Sequence, residues 1–239
     1  MRKLFFTLIG LLSGFGAAAQ TVTEVLAPVP AGQPVVLLLR QATLIRIRPA
    51  TDGQLRVKAT VNINQNKLND AFSLRLVPQA QGVQVVSDLS GQRLAAALPG
   101  DCPPGSKPYY GTWNGLTNDS SDTRAKVCVT INFDVTLPPN TPLRVSTVNG
   151  DIEVRGLTGP LVAKSVGGFV DADWPPAQAA TVALSTISGV AYTDYPLSGS
   201  NRPAASLGGY QVRGTLGKGS GPAVRLESVG GDVFLRRAK

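Results

Sequence analysis

Histidine is absent from this 239-residue chain. That removes the commonest metal ligand and the one side chain whose ordinary pKa suits proton transfer near neutrality. Nucleophile–base pairs of the Ser–His or Cys–His kind are therefore excluded. Aromatic residues make up only 6% of the chain, so a stacking platform has to be local. No apolar run reaches the roughly 20 residues that a membrane-spanning helix requires. The glycine-rich stretch beginning at Leu216 (LGKGSG) has the wrong spacing for a phosphate-cradling loop, and no helical pattern follows it. Cysteine occurs twice, without CxxC spacing.

The first residues have the form of a secretory leader: basic Arg2 and Lys3, an apolar stretch from Leu4 to Phe15, and small residues at Ala17–Ala19. This predicts a signal peptide over residues 1–19 and a mature chain from Gln20. No cysteine follows the small residues, which argues against a lipid anchor. The expected protein is exported, to the periplasm, the cell surface or the medium. Its formal charge is +8, or +6 without Arg2 and Lys3, a moderate basic balance that favours acidic surfaces without naming one. In an oxidising compartment Cys102 and Cys128 should form one disulfide. Closing that loop stabilises by about 3–4 kcal/mol in the chain-entropy picture.

Twenty-six glycines and eighteen prolines suit a turn-rich β protein. The organising pattern starts at LRVSTVNGDIEV, Leu143 to Val154. Its centre, Thr147-Val148-Asn149-Gly150, returns as Ser165-Val166-Gly167-Gly168, Thr186-Ile187-Ser188-Gly189, Ser206-Leu207-Gly208-Gly209 and Ser228-Val229-Gly230-Gly231. The motif glycines lie 18, 21, 20 and 22 residues apart, a period that marks a stacked array of short β units. Each unit reads as two strands joined at a glycine able to take positive φ. The expected architecture is an all-β solenoid, a right-handed β-helix-like stack; an antiparallel β-meander or sandwich with turns at the glycines is the alternative. In stacked register, Ile152, Val170, Ala191 and Val233 form one inward row, and Val154, Ala172, Thr193 and Leu235 the next. The fourth repeat needs a one-residue slip, counted from Gly208, to turn Tyr210 and Val212 inward instead of Gln211 and Arg213.

Upstream, residues 21–34 read as an extended lead-in and Val35–Leu39 as a strand buried on both faces. Alternation over Leu55, Val57, Ala59, Val61 and Ile63 marks a half-buried strand. Arg46, Arg48, Arg56, Lys58 and Arg75 point outward as a basic face, more in keeping with solvation than docking. Residues 88–126 interrupt the alternation with Pro- and Gly-rich sequence. The strand that follows points Val127, Val129, Ile131, Phe133, Val135 and Leu137 inward and places Cys128 on the opposite side, so a bridge to Cys102 would pin the insertion. The domain reading is a leader (1–19), an N-terminal β region (20–142) carrying the insertion 88–126, and a repeat region (143–239) continuous with it.

VCVTINFDVTLPPNTPL followed by LRVSTVNGDIEVRGL and its degenerate copies resembles a bacterial exported β-strand-repeat family of unknown function, related to auto-transporter adhesin head domains. The resemblance covers residues 127–239 well and 35–87 loosely, and the insertion has no counterpart. It implies a β-helix-like fold and a cell-envelope setting, and carries over no catalytic residue. "Adhesin", a frequent label in the family, is itself an inference.

Two sets of residues are candidates for chemistry. Tyr109, Tyr110 and Trp113, inside the insertion, form either a platform for sugar rings or a protein partner, or the private core of a long loop. Glu153, Asp171, Asp173 and Asp194 would share one solenoid face, with Glu153 stacked on Asp171 and Asp173 on Asp194, where carboxylates could hold calcium. The leading expectation is a non-enzymatic envelope or surface binding module, adhesin-like, with no cofactor and with a cell-surface protein or glycan as partner rather than nucleic acid. The alternatives are a calcium-assisted, lyase-like carbohydrate enzyme on a β-helix, and a purely structural envelope protein.

Overall fold

The computed structural model describes residues 20–77, 79–106, 126–198, 210–218 and 220–239; the expected leader lies outside them. In chain order the strands are β1 Thr21–Pro28, β2 Val35–Leu39, β3 Gln41–Pro49, β4 Gln54–Ile63, β5 Phe72–Val77, β6 Val83–Leu89, β7 Val129–Leu137 and β8 Leu143–Thr147. They continue as β9 Asn149–Val154, β10 Leu161–Ser165, β11 Val170–Trp174, β12 Ala180–Thr186, β13 Ala191–Thr193, β14 Tyr210–Leu216, β15 Ala223–Ser228 and β16 Val233–Arg237. One helical turn, α1 Gly91–Leu94, follows β6. The all-β class is as expected, and the described strands form two mixed eight-stranded sheets.

Sheet A has the order β1-β4-β7-β3-β9-β11-β16-β13, and sheet B the order β14-β12-β15-β10-β8-β2-β6-β5. The strands on either side of each corner lie in different sheets, so the corner is not a hairpin, and the meander alternative is not what forms. Six strand pairs (β6/β7, β2/β3, β8/β9, β10/β11, β15/β16, β12/β13) run through both sheets in that same order as layers. Neighbouring layers pair parallel. A solenoid would stack them in chain order. Here β2/β3 sits between β6/β7 and β8/β9, and β15/β16 is inserted between β10/β11 and β12/β13. The solenoid expectation is corrected accordingly. Similar repeats specify in-register stacking, but not which repeat lies against which. Antiparallel strands finish the stack: β1 and β4 extend sheet A, while β5 and β14 flank sheet B.

Between the sheets lies one continuous apolar core. The inward rows form as the sequence predicts: Val170 pairs with Ile152 and Val233, Ala172 with Val154 and Leu235, and Ala191 and Thr193 with Val233 and Leu235. The same rows extend to Ile45 and Ile47 of β3, then to Phe133 and Val135 of β7. Full burial of each Val or Ile contributes about 1.5–3 kcal/mol. Three upstream or repeat readings change. Residues 21–28 form β1, paired with β4. Only Val35, Leu37 and Leu39 of β2 are fully buried, with Val36 and Leu38 on the outer face. The fourth repeat supplies β14, an antiparallel strand on which Val212 is partly buried while Tyr210 is 51% exposed.

The corners explain the repeat motif. Its first residues align across sheet B, where Thr147 pairs with Ser165, and Ser228 pairs with both Ser165 and Thr186. Ser165 Oγ donates to Gly150 O (2.8 Å) and accepts from Gly168 N (2.9 Å). Ser228 Oγ donates to Gly168 O (2.7 Å) and accepts from Gly231 N (2.9 Å). Thr186 Oγ1 donates to Gly231 O (2.7 Å) and accepts from Gly189 N (3.1 Å). Each hydroxyl thus ties its own corner to the layer before it. The glycines serve this contact: a Cβ on Gly168 would stand 2.1 Å from Gly150 O, and one on Gly231 2.4 Å from Gly168 O. Of these four corner glycines only Gly150 has positive φ, +106°. At the other three, space rather than backbone conformation demands glycine.

The Cys102–Cys128 disulfide forms, with Cα atoms 5.5 Å apart. Both of its ends are tied to one turn. Asn64, Gln65 and Asn66 hold positive φ (47°, 56° and 69°), a conformation asparagine tolerates better than most residues. Asn64 Oδ1 accepts from Cys128 N (2.7 Å), and Gln65 Nε2 donates to Asp101 O (3.2 Å). Lys67 Nζ lies 2.6 Å from Asp101 Oδ1, and Leu98 N donates to Asp101 Oδ2 (2.8 Å). The Lys67 ammonium, then the Leu98 N–H, hold the Asp101 carboxyl below the ordinary carboxylate range.

Two outcomes are expected. Ser228→Ala leaves Gly168 O and Gly231 N without their partner, which should cost about 1–3 kcal/mol and lower Tm by roughly 2–10 °C. Ser146→Ala, on the outer face, should change Tm little; thermal unfolding of the two variants side by side makes the comparison. Because the Asp101 pKa is lowered on folding, its stabilisation is complete above the unfolded value of about 3.9 and is lost as pH falls through the lower folded value. Tm of Asp101→Asn measured from pH 7 to pH 2 should fall less steeply below pH 4 than that of the parent, and equal slopes would contradict this.

Candidate functional site

Tyr109, Tyr110 and Trp113 lie outside the described residues. The carboxylates lie on the outer face of sheet A, and each has an ion-pair or hydrogen-bond partner. Glu153 stands 3.7 Å from Arg46 Nε. Asp171, only 8% exposed, accepts from Arg155 Nη1 (3.1 Å) and from Arg236 Nε at both oxygens (3.1 and 3.0 Å). Asp173 Oδ1 accepts from Gly156 N (2.7 Å), and Asp194 Oδ2 from Arg237 N (3.2 Å). Glu153 and Asp171 pair across neighbouring strands as expected. Asp173 and Asp194 do not: the inserted β16 places Arg236 opposite Asp173, between the two acids. No group of three or more His, Cys, Asp or Glu side chains suited to a metal ion occurs among the described residues.

The expected basic face divides in the same way. Along one outer row of sheet A run Glu24, Lys58, Asp134, Arg46, Glu153 and Asp171, ending at Phe234 and Tyr192. Cations and carboxylates alternate over its first five places, and Arg56 reaches both Glu24 (3.3 Å) and Asp52 (3.2 Å). The Gln54 N–H, then Arg56, hold the Asp52 carboxyl below its ordinary value. Arg75 belongs to β5, in the other sheet. What sequence reasoning missed here is an aromatic pair: Tyr192 and Phe234 stack with centroids 5.3 Å apart, and the Arg236 guanidinium lies 4.7 Å above the Phe234 ring. Trp174, at the end of β11, is fully buried and donates Nε1–H to Gln178 O (3.1 Å). The Tyr195 hydroxyl donates to Trp174 O, and burial pushes its pKa above the ordinary phenol value.

The outer face of sheet B is different in kind. Two adjoining depressions lie on it. One, of about 470 Å³, is lined by residues including Ser185, Gln211, Arg213, Thr215, Arg225 and Glu227. The other, of about 450 Å³, is lined by residues including Leu38, Arg144, Val162, Lys164, Arg225 and Glu227. Arg225 and Glu227 belong to both, so the two form one groove. Across β14, β12, β15, β10 and β8 the outward positions carry Arg213, Arg225, Lys164 and Arg144 against a single acid, Glu227. Glu227 accepts from Arg225 Nε and lies 3.7 Å from Lys164 Nζ. No carboxylate among the described residues pairs with Arg144 or Arg213. Further depressions of about 300 and 210 Å³ continue on the same face toward the corners at Val148 and Val166 and at Pro142 and Pro160.

These cations arise from period-two alternation in the first strand of each repeat: LRVST points Arg144 outward, LVAKS Lys164, and AVRLES Arg225. The alternation was the available signal. That the three would be neighbours was not, because β15 lies beside β10 only by virtue of the insertion of β15/β16 between β10/β11 and β12/β13.

No family model matches the chain, and no curated protein matches it. Among solved structures, a putative cell adhesion protein from Clostridium sporogenes ATCC 15579 aligns over 91% of this chain and 100% of its own, with 10% identity and a TM-score of 0.49. A putative adhesin (BF0245) from Bacteroides fragilis NCTC 9343 aligns over 92% of this chain and 98% of its own, with 7% identity and a TM-score of 0.25.

Proposed function

We propose that the chain is a non-enzymatic, adhesin-like binding module of the cell envelope that presents the outer face of sheet B to a cell-surface partner. The observation that carries this reading is the continuous groove over β14, β12, β15, β10 and β8, where four cations face one carboxylate. Cations left without counter-ions on a concave face favour an anionic partner over free solvent. The carboxylates that a lyase-like reading would recruit are engaged by Arg46, Arg155, Arg236 and backbone N–H groups. Export is supported by the disulfide, which belongs in an oxidising compartment. No helix among the described residues is long and apolar enough to cross a membrane.

Binding of the purified, labelled protein to intact cells and to a glycan array tests the reading. The double variant Arg144→Glu/Arg225→Glu should lose binding while keeping the parent's Tm, and Trp113→Ala should bind like the parent. The reverse pattern would move recognition to the insertion at 88–126 and refute the sheet B assignment.

A further inference from the structure

Three arginines on the outer face of sheet B are evenly spaced. Reading across the strands in register, Arg213 of β14 lies opposite Ala183 of β12, and Ala183 opposite Arg225 of β15. Arg225 then lies opposite Val162 of β10, and Val162 opposite Arg144 of β8. A guanidinium therefore rises from every second strand, with Ala183 and Val162 between. Neighbouring strands are about 4.8 Å apart, so the arginine Cα atoms recur at about 9.6 Å along a line perpendicular to the strands. The adjoining row is polar and uncharged at Gln211, Ser185 and Ser146, with Glu227 and Lys164 between them. Glu227 accepts from Arg225 Nε, which orients that guanidinium.

We propose that this comb binds a linear acidic glycan carrying about one carboxylate per two sugars, laid along the stack with its anions on Arg213, Arg225 and Arg144. The inference rests on the binding-module reading above and adds the ligand class. An extended pyranose chain advances by about one inter-strand spacing per sugar, so an anion on alternate sugars meets each arginine in turn. The intervening sugar lies over Ala183 or Val162, small apolar surfaces that suit the C–H face of a ring. Sugar hydroxyls and amides face the Gln211, Ser185 and Ser146 row. Arginine suits this task because its planar fork meets a carboxylate through two parallel hydrogen bonds.

Nucleic acid fits less well. Single-stranded nucleic acid binds by stacking its bases on aromatic side chains, and the outward positions of these five strands carry none. A duplex strand carries one phosphate per about 3.4 Å of helix axis, a higher axial charge density than the comb can match.

Fluorescence anisotropy at low salt would measure the affinity of the purified protein for four labelled oligomers of equal length: hyaluronan, with one carboxylate per disaccharide; polygalacturonate, with one per sugar; dextran, with none; and oligo-dT. Hyaluronan is expected to bind at least tenfold more tightly than dextran, and polygalacturonate no more tightly than hyaluronan despite its doubled charge. Arg144→Gln, Arg213→Gln and Arg225→Gln should each weaken hyaluronan binding about two- to fivefold, the range of exposed ion pairs, without changing Tm. Affinity that rises with charge density across the glycans would overturn the spacing argument, and tighter, arginine-dependent binding of oligo-dT would overturn the glycan. Ser185→Trp, which fills the groove, separates the two levels of inference. If it abolishes cell binding while the arginine variants have no effect, the face is the binding site but the comb is wrong. If it leaves cell binding intact, both readings fail.

Discussion

A relay of hydrogen bonds at the layer corners holds the architecture in register. The hydroxyls of Ser165, Ser228 and Thr186 each accept from the amide of their own corner glycine and donate to the glycine carbonyl of the neighbouring layer, a run that starts at Gly150 O. The arrangement works only if both positions keep their residue type. Without the hydroxyl, two buried backbone groups go unpaired, a loss that a low-dielectric interior makes expensive. With a side chain on the glycine, the neighbouring carbonyl cannot approach. Asp151 and Asp232 add a second tie at the same corners, accepting from Phe169 N (3.0 Å) and Val190 N (2.8 Å) of adjoining layers.

Register fixed at the corners propagates outward. Like residues stand over like residues, so the interior becomes rows of Ile, Val, Ala and Leu that fill the space between the sheets. Chemistry is thereby displaced to the outer faces, and the two differ. Sheet A alternates cations and carboxylates across its strands and largely neutralises itself. Sheet B concentrates cations in a groove with one acid. A single stacking rule thus yields one quiet face and one face with an unmet demand for anions.

Much of this was legible from residue patterns. Alternation placed Ile131, Phe133 and Val135 inward, the repeat glycines aligned Val170 with Ile152 and Val233, and the two cysteines paired. The order of the layers was not legible, because the Ser-Val-Gly-Gly and Thr-Ile-Ser-Gly corners offer the same donors and acceptors to any neighbour. Expectations that relied on chain-order stacking beyond β10/β11 therefore shifted, including the supposed pairing of Asp173 with Asp194, while Glu153 and Asp171 kept theirs. The convergence of Arg144, Arg213 and Arg225 was hidden for the same reason, since they lie far apart in the chain and meet only through the inserted layer. The corner glycines were legible as corners, but the pattern suggested backbone freedom where the structure needs room.

The position of β15/β16 has a consequence for the order of assembly. Residues 180–193 precede residues 223–237 in the chain, yet β12 and β13 reach the rest of their sheets only by pairing with β15 and β16. Until β15/β16 is in place, β12/β13 has no layer to rest on, and β10/β11 exposes an open edge. The later segment acts as a keystone: the stack closes here only once β15/β16 slides between its neighbours, so the packing of residues 180–193 waits on residues 223–237.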